Sequence, residues 1–214
     1  MLTPTRFVRH LGRLIALALL CVFSAAAPRA QAAFHLWQVQ EIYSNSDASV
    51  QFIELHNNFA GENFVSGFTL TANSDGVIKT FTFPADPSGD TTNHNLLIAT
   101  TGFGSLAGGV PPNFTFADGG APTPFFNPNA SNITITYSGA PDSVSFVGAS
   151  FPKDGTHSLT DTNLYSTQNL VSTVNSPTNF SGQSGSVNLA PEPGAGIALL
   201  VVPMIGVLRR RRRS

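Results

Sequence analysis

Hydrophobic and polar positions alternate in short runs through the middle of the chain. In Ile133-Thr134-Ile135-Thr136-Tyr137 the period is two, which puts Ile133, Ile135 and Tyr137 on one face. Phe68, Leu70 and Ala72 are spaced in the same way. Comparable β-branched and aromatic runs, bounded by turn residues, predict strands near Leu36–Tyr43, Val50–Asn57, Phe68–Ala72, Ile78–Phe83, Asn95–Thr100, Asn132–Tyr137 and Ser143–Val147, with a short one near His157–Thr160. Leu/Ala/Glu/Lys stretches of period 3.6 are missing, so the body is expected to be all-β. Seven or eight short strands separated by turns predict two antiparallel sheets packed face to face.

Other stretches break this rhythm. Thr101 to Ala130 is rich in Gly, Pro and Phe and reads as an ordered excursion over the surface. Residues 172–190 are rich in Ser, Thr, Asn and Gly and read as a flexible linker. The predicted domain is therefore 33–171. It is well supplied with core material, holding most of the 17 Phe and Trp37.

At the N-terminus, a basic stretch precedes an apolar run from Leu14 to Ala27 and then Ala30-Gln31-Ala32. This order predicts a secretory signal peptide over 1–32, with Ala30 and Ala32 as the small residues of the cleavage site. At the other end, Pro191-Glu192-Pro193 precedes an apolar segment from Gly194 to Leu208, and Arg209, Arg210, Arg211, Arg212 and Arg213 follow. The segment is shorter than the ~20 residues that span a hydrocarbon core. The arginines still predict a cytoplasmic stop and transient anchoring in the inner membrane. Residues 191–214 resemble the PEP-CTERM sorting signal of Gram-negative bacteria. That resemblance implies export by the secretion machinery, a hydrophobic sorting helix, and processing by an exosortase. It also implies a place at the cell surface or in the extracellular matrix of an exopolysaccharide-producing, biofilm-forming cell.

Charge is sorted in the same manner. Of 11 Lys and Arg, only Lys79 and Lys153 lie between the two ends, against eleven of the 12 acids. A body this acidic offers no cation cluster to displace counterions from phosphates, so nucleic acid is excluded as a partner. The single Cys, Cys21, lies in the N-terminal apolar run, which excludes a disulfide framework and a Cys-ligated zinc.

An ordered series of motifs runs through the body. Gln40-Glu41-Ile42-Tyr43-Ser44-Asn45 comes first, followed by Phe52-Ile53-Glu54-Leu55-His56-Asn57 and Val65-Ser66-Gly67-Phe68-Thr69-Leu70. Leu96-Leu97-Ile98-Ala99, Asp142-Ser143-Val144-Ser145-Phe146 and Gly155-Thr156-His157-Ser158-Leu159 complete it. Over about residues 36 to 162 this resembles the lamin-tail domain, and the resemblance implies an immunoglobulin-like antiparallel β-sandwich. The series departs from that family where Phe68 stands for the usual Trp and His56 for the usual Tyr. Gly67 is expected at a turn or bulge that a Cβ would obstruct. Glu54 shares a strand face with Val50 and Phe52, which predicts a partly buried carboxylate satisfied by backbone N–H groups of a neighbouring turn.

Candidate chemistry is sparse. Glu54 and His56 lie two residues apart on one predicted strand, and with Glu41 they could supply acid, base or ligand functions. Nothing in the sequence places Glu41 beside them. His35, His94 and His157 have no zinc-ligand spacing. Gly102-Phe103-Gly104-Ser105-Leu106-Ala107 mimics a dinucleotide fingerprint, but Gly108-Gly109-Val110-Pro111-Pro112 prevents the helix that it needs. Asp86 to Asp90 and Asp118-Gly119-Gly120 offer loop oxygens without an EF-hand pattern. The expectation is an exported, non-enzymatic structural or binding module of the exopolysaccharide or biofilm matrix, with no catalytic residue, metal or cofactor, and with exopolysaccharide or surface proteins as its partners. A secreted hydrolase with a carboxylate–His site and a calcium-dependent adhesin are the alternatives.

Overall fold

The computed structural model describes residues 36–139 and 142–189. The signal peptide and sorting tail expected from the sequence lie outside the described residues. Among the described residues ten strands are formed: β1 Gln38–Ser44, β2 Gln51–Asn57, β3 Thr69–Ser74, β4 Val77–Thr82, β5 His94–Ala99, β6 Phe114–Thr115, β7 Ile133–Tyr137, β8 Asp142–Phe146, β9 His157–Asp161 and β10 Leu170–Val174. The first sheet has the order β10-β9-β1-β2-β5-β6 and the second β4-β3-β7-β8. All pairs are antiparallel except β5 with β6. Among the described residues there is no α-helix, only a 3-10 turn at Phe103–Ser105.

The sandwich-like packing follows from alternation. Ile53, Leu55, Leu96 and Ile98 of the first sheet and Leu70, Ala72, Ile133 and Ile135 of the second share one buried core. Tyr137 completes the face predicted for its strand. Asp75 and Gly76 close the β3–β4 hairpin with φ of 50° and 89°, the left-handed pair that a two-residue turn needs. At Gly67 a Cβ would meet nothing within 4 Å, so it is the φ of 84°, and not lack of space, that calls for glycine there.

Plain alternation fails in β1. Val39 pairs with Leu55, but Glu41 pairs with Glu54, so Gln40 is the extra residue of a β-bulge. Val39 and Ile42 can therefore both face the core, while Glu41 and Tyr43 turn to the outer face of the first sheet.

Two segments differ from the sequence expectation. The excursion over 101–130 does not stay on the surface, because Phe116, Phe125 and Phe126 are fully buried in the core and β6 extends the first sheet. Gln51 draws the chain inward. Its Oε1 accepts from Phe125 N at 2.6 Å, and its Nε2 donates to Phe126 O at 2.8 Å and Ser44 Oγ at 3.2 Å. Gln51→Leu should leave these main-chain groups unpaired and cost about 2–4 kcal/mol, read as a lowered denaturant midpoint at unchanged m-value.

The second correction concerns the linker. Residues 170–174 form β10, and the chain beyond it packs against the first sheet as far as Leu189, whose N–H donates to Gly155 O. Asn175, Asn179 and Val187 are buried. The physical reason is local bonding by asparagine. Asn175 Nδ2 donates to Thr156 O at 2.6 Å and Val187 O at 2.8 Å, while its Oδ1 accepts from Val187 N at 2.8 Å. The folded domain therefore extends beyond residue 171 to at least 189.

Candidate functional site

The outer face of the first sheet gathers the residues singled out for chemistry. Glu41 on β1 and Glu54 on β2 are cross-strand partners, both 2 % exposed. Asn95 on β5 pairs with His56, next on the same face of β2. The bulge at Gln40 brings Glu41 to this face, which the sequence did not reveal. Around them Tyr43, Phe52, Leu97, Phe103, Val110 and Val187 form a second apolar cluster.

The C-terminal segment closes the face. Ser176 donates to Glu41 from its N–H, at 2.8 Å to Oε1, and from its hydroxyl, at 3.1 Å to Oε2. Thr178 N donates to Glu54 Oε2 at 2.5 Å, and Asn95 Nδ2 to Oε1 at 2.8 Å. Glu54 thus accepts the backbone donor that its burial requires. Ser176 and Thr178 were not candidates in the sequence, because they sit in a stretch whose composition is that of a tether.

These bonds fix the imidazole. Asn95 commits its amide to Glu54, so its Oδ1 must accept from His56 Nδ1–H, 2.5 Å away. His56 Nε2 lies 2.8 Å from Asn58 Oδ1. A chain of side chains therefore runs from half-buried His56 through Asn95 to Glu54, with Glu41 alongside. Burial raises the pKa of Glu41, and its bonds to Ser158 and Ser176 oppose the rise. Glu54 is pushed well above the ordinary carboxyl value, first by burial and then by the Glu41 charge. Raised carboxyl pKa values are common in active sites, but these carboxylates have no open side.

No family model, curated protein or solved structure matches this chain.

The remaining candidates are dispersed. Asp86 accepts from Ser66 N in the β2–β3 loop, tying two loops together, while Asp90 accepts from Thr92 and Asp118 from Thr115 N within their own loops, so each carboxylate is engaged in holding main chain. Among the described residues no group of three or more His, Cys, Asp or Glu could hold a metal ion. His157 bonds Asp154 at 2.6 Å on the surface, and His94 packs against Phe180 with ring centroids 4.6 Å apart and the planes tilted by 38°. The fingerprint-like glycines enter the 3-10 turn and then pack tightly: a Cβ on Gly108, at φ +78°, would lie 1.9 Å from Ser186 O.

Proposed function

We propose that this chain is an exported, non-enzymatic surface or extracellular-matrix module, sorted by an exosortase through Pro191-Glu192-Pro193 and the tail that follows. The observation that carries the reading is how close to the motif the bonded domain reaches. Main-chain bonding continues to Leu189, two residues before Pro191, so a cut at the motif would leave every described element in the product. The non-enzymatic part rests on the closed acid pair. Carboxylates this deeply buried, with donors on their oxygens from 176–178 and Asn95, have no path to a substrate, which disfavours the hydrolase alternative.

The lamin-tail, immunoglobulin-like interpretation belongs to the same proposal. In its support, the motifs around Glu41, Glu54, Leu97 and Leu159 fall on four adjacent strands, β1, β2, β5 and β9. A Gram-negative host is part of it as well. Intact mass and cell fraction, with and without the exosortase, test the sorting. The expected product begins near Ala33 and ends near Pro191 only when the exosortase is present. A chain retaining Arg209 to Arg213 in both strains would mean a plain membrane anchor and would sink the reading.

A further inference from the structure

The outer face of the second sheet has a different character from that of the first. Its side chains fall into rows in cross-strand register. Thr80, Thr71, Thr136 and Ser143 are successive partners across all four strands. One step along the strands, Ile78, Asn73, Thr134 and Ser145 form a parallel row. Neighbours within a row are ~4.8 Å apart and the rows ~6.7 Å apart, the spacings of the pleat itself. The inward residues between them on β3, β7 and β8, Ala72, Ile135 and Val144, are buried, so the row members point outward, and each of the eight is half-buried or exposed. The hydroxyls are ordered along the rows, with Thr136 Oγ1 2.8 Å from Ser143 Oγ and Thr134 Oγ1 3.0 Å from Ser145 Oγ.

Neither row contains a charge, although the described domain carries eleven carboxylates. Lys79, on the same strand as Ile78 and Thr80, turns to the other side and donates to Pro124 O. A charged ligand would find no counter-charge here. An apolar protein surface would strand the donor and acceptor capacity that the paired hydroxyls leave open, at a cost of about 1–3 kcal/mol for each group left unsatisfied. The fitting ligand is uncharged, carries its own hydroxyls at a similar repeat, and offers C–H surface to the threonine methyls and to Ile78, which is 65 % exposed. A pyranose ring has that composition, and the strand spacing is close to the length of one ring in an extended chain.

We propose that this face docks a neutral, extended polysaccharide running across the strands along the Thr80–Thr71–Thr136–Ser143 row. The inference rests on the matrix reading above and supplies its ligand class and its surface. Each hydroxyl bond exchanges with a bond to water, so affinity per segment is low and retention comes from many segments of one polymer.

Affinity electrophoresis of the exported protein in gels containing a neutral soluble β-glucan or anionic alginate tests it. The glucan should retard the protein equally at low and high salt, because no charge is involved. Thr71→Val with Thr136→Val keeps shape and strand preference but removes two hydroxyls. It should weaken retardation at least about fivefold at unchanged unfolding midpoint, as two lost hydrogen bonds require. If that pair disturbs folding, Ser143→Ala at the exposed edge of the row carries the same test. Retardation by glucan that ignores these variants would overturn the assignment to this face. Retardation by alginate alone, abolished by salt, would overturn the neutral ligand while leaving a matrix role intact. Retardation by neither polymer would end the proposal, and the exosortase-dependent mass would still decide the sorting reading on its own.

Discussion

Ending the chain after Val174 is expected to abolish cooperative folding, whereas ending it after Leu189 should leave the unfolding midpoint unchanged. The shorter product loses the three hydrogen bonds that Ser176 and Thr178 give to Glu41 and Glu54. Bonds to charged groups are each worth about 1.5–3 kcal/mol. It also loses Val187 from the cluster with Tyr43, Phe52 and Leu97, a burial worth about 1.5–3 kcal/mol. Asn175 goes too, and with it the clip to Thr156 O. Together these approach the ~5–15 kcal/mol that holds a typical domain folded, and two carboxylates are left against an apolar sheet with few donors. Calorimetry or circular dichroism melts of the two products decide it. A clean transition for the shorter one, within a few degrees of the full chain, would mean that 175–189 is a passenger after all.

That contrast also marks what the sequence made legible. Strands with strict alternation and a clear inward set, such as Ile133 to Tyr137, were readable because burial and period agree. Glu54 was readable as a buried carboxylate for the same reason. Glu41 was not placed, because its partnership with Glu54 depends on one unpaired residue, Gln40, and nothing in Gln38 to Ser44 distinguishes a bulge from a regular strand. The segment 175–189 departs from what its composition predicts for a different reason. Asn, Ser and Thr favour tethers because they are polar, yet Asn175 and Asn179 use that polarity to bond the main chain in place. Composition cannot separate an asparagine bonded to water from one bonded to the backbone twelve residues on. The Phe-rich stretch near 114–126 failed similarly: its glycines and prolines signalled loop, which it is, while Gln51 determines that the loop runs through the core.

Stability should fall as pH rises above about 4.5, and the Glu41–Glu54 pair should be the main cause, with Asp142, whose carboxyl burial also raises, adding to it with the same sign. Both glutamates have folded-state pKa values above the ordinary 4.5, so between that value and the raised one the folded chain binds more protons than the unfolded chain. Their contribution is fully present below the unfolded value and is lost as pH climbs through the folded one, by up to about 1.4 kcal/mol per pH unit for each titrating proton. Asp154 acts in a separate window. Against the burial that opposes it, hydrogen bonds from Thr156 and His157 hold its carboxyl at about 2, so its contribution is lost only as pH falls below its ordinary value of 3.8. Glu54→Gln should flatten the slope above 4.5. The new amide can keep its carbonyl on Thr178 N–H and turn its NH2 toward Asn95, whose own amide reverses while His56 Nδ1 becomes an acceptor. The variant should then be less stable than the parent near pH 4.5 and more stable above the range in which Glu54 ionises. Denaturant midpoints measured across that range would show the two curves crossing. Parallel curves would mean that Glu54 is ionised throughout, and that the donors from Asn95 and Thr178 outweigh both its burial and its neighbour's charge.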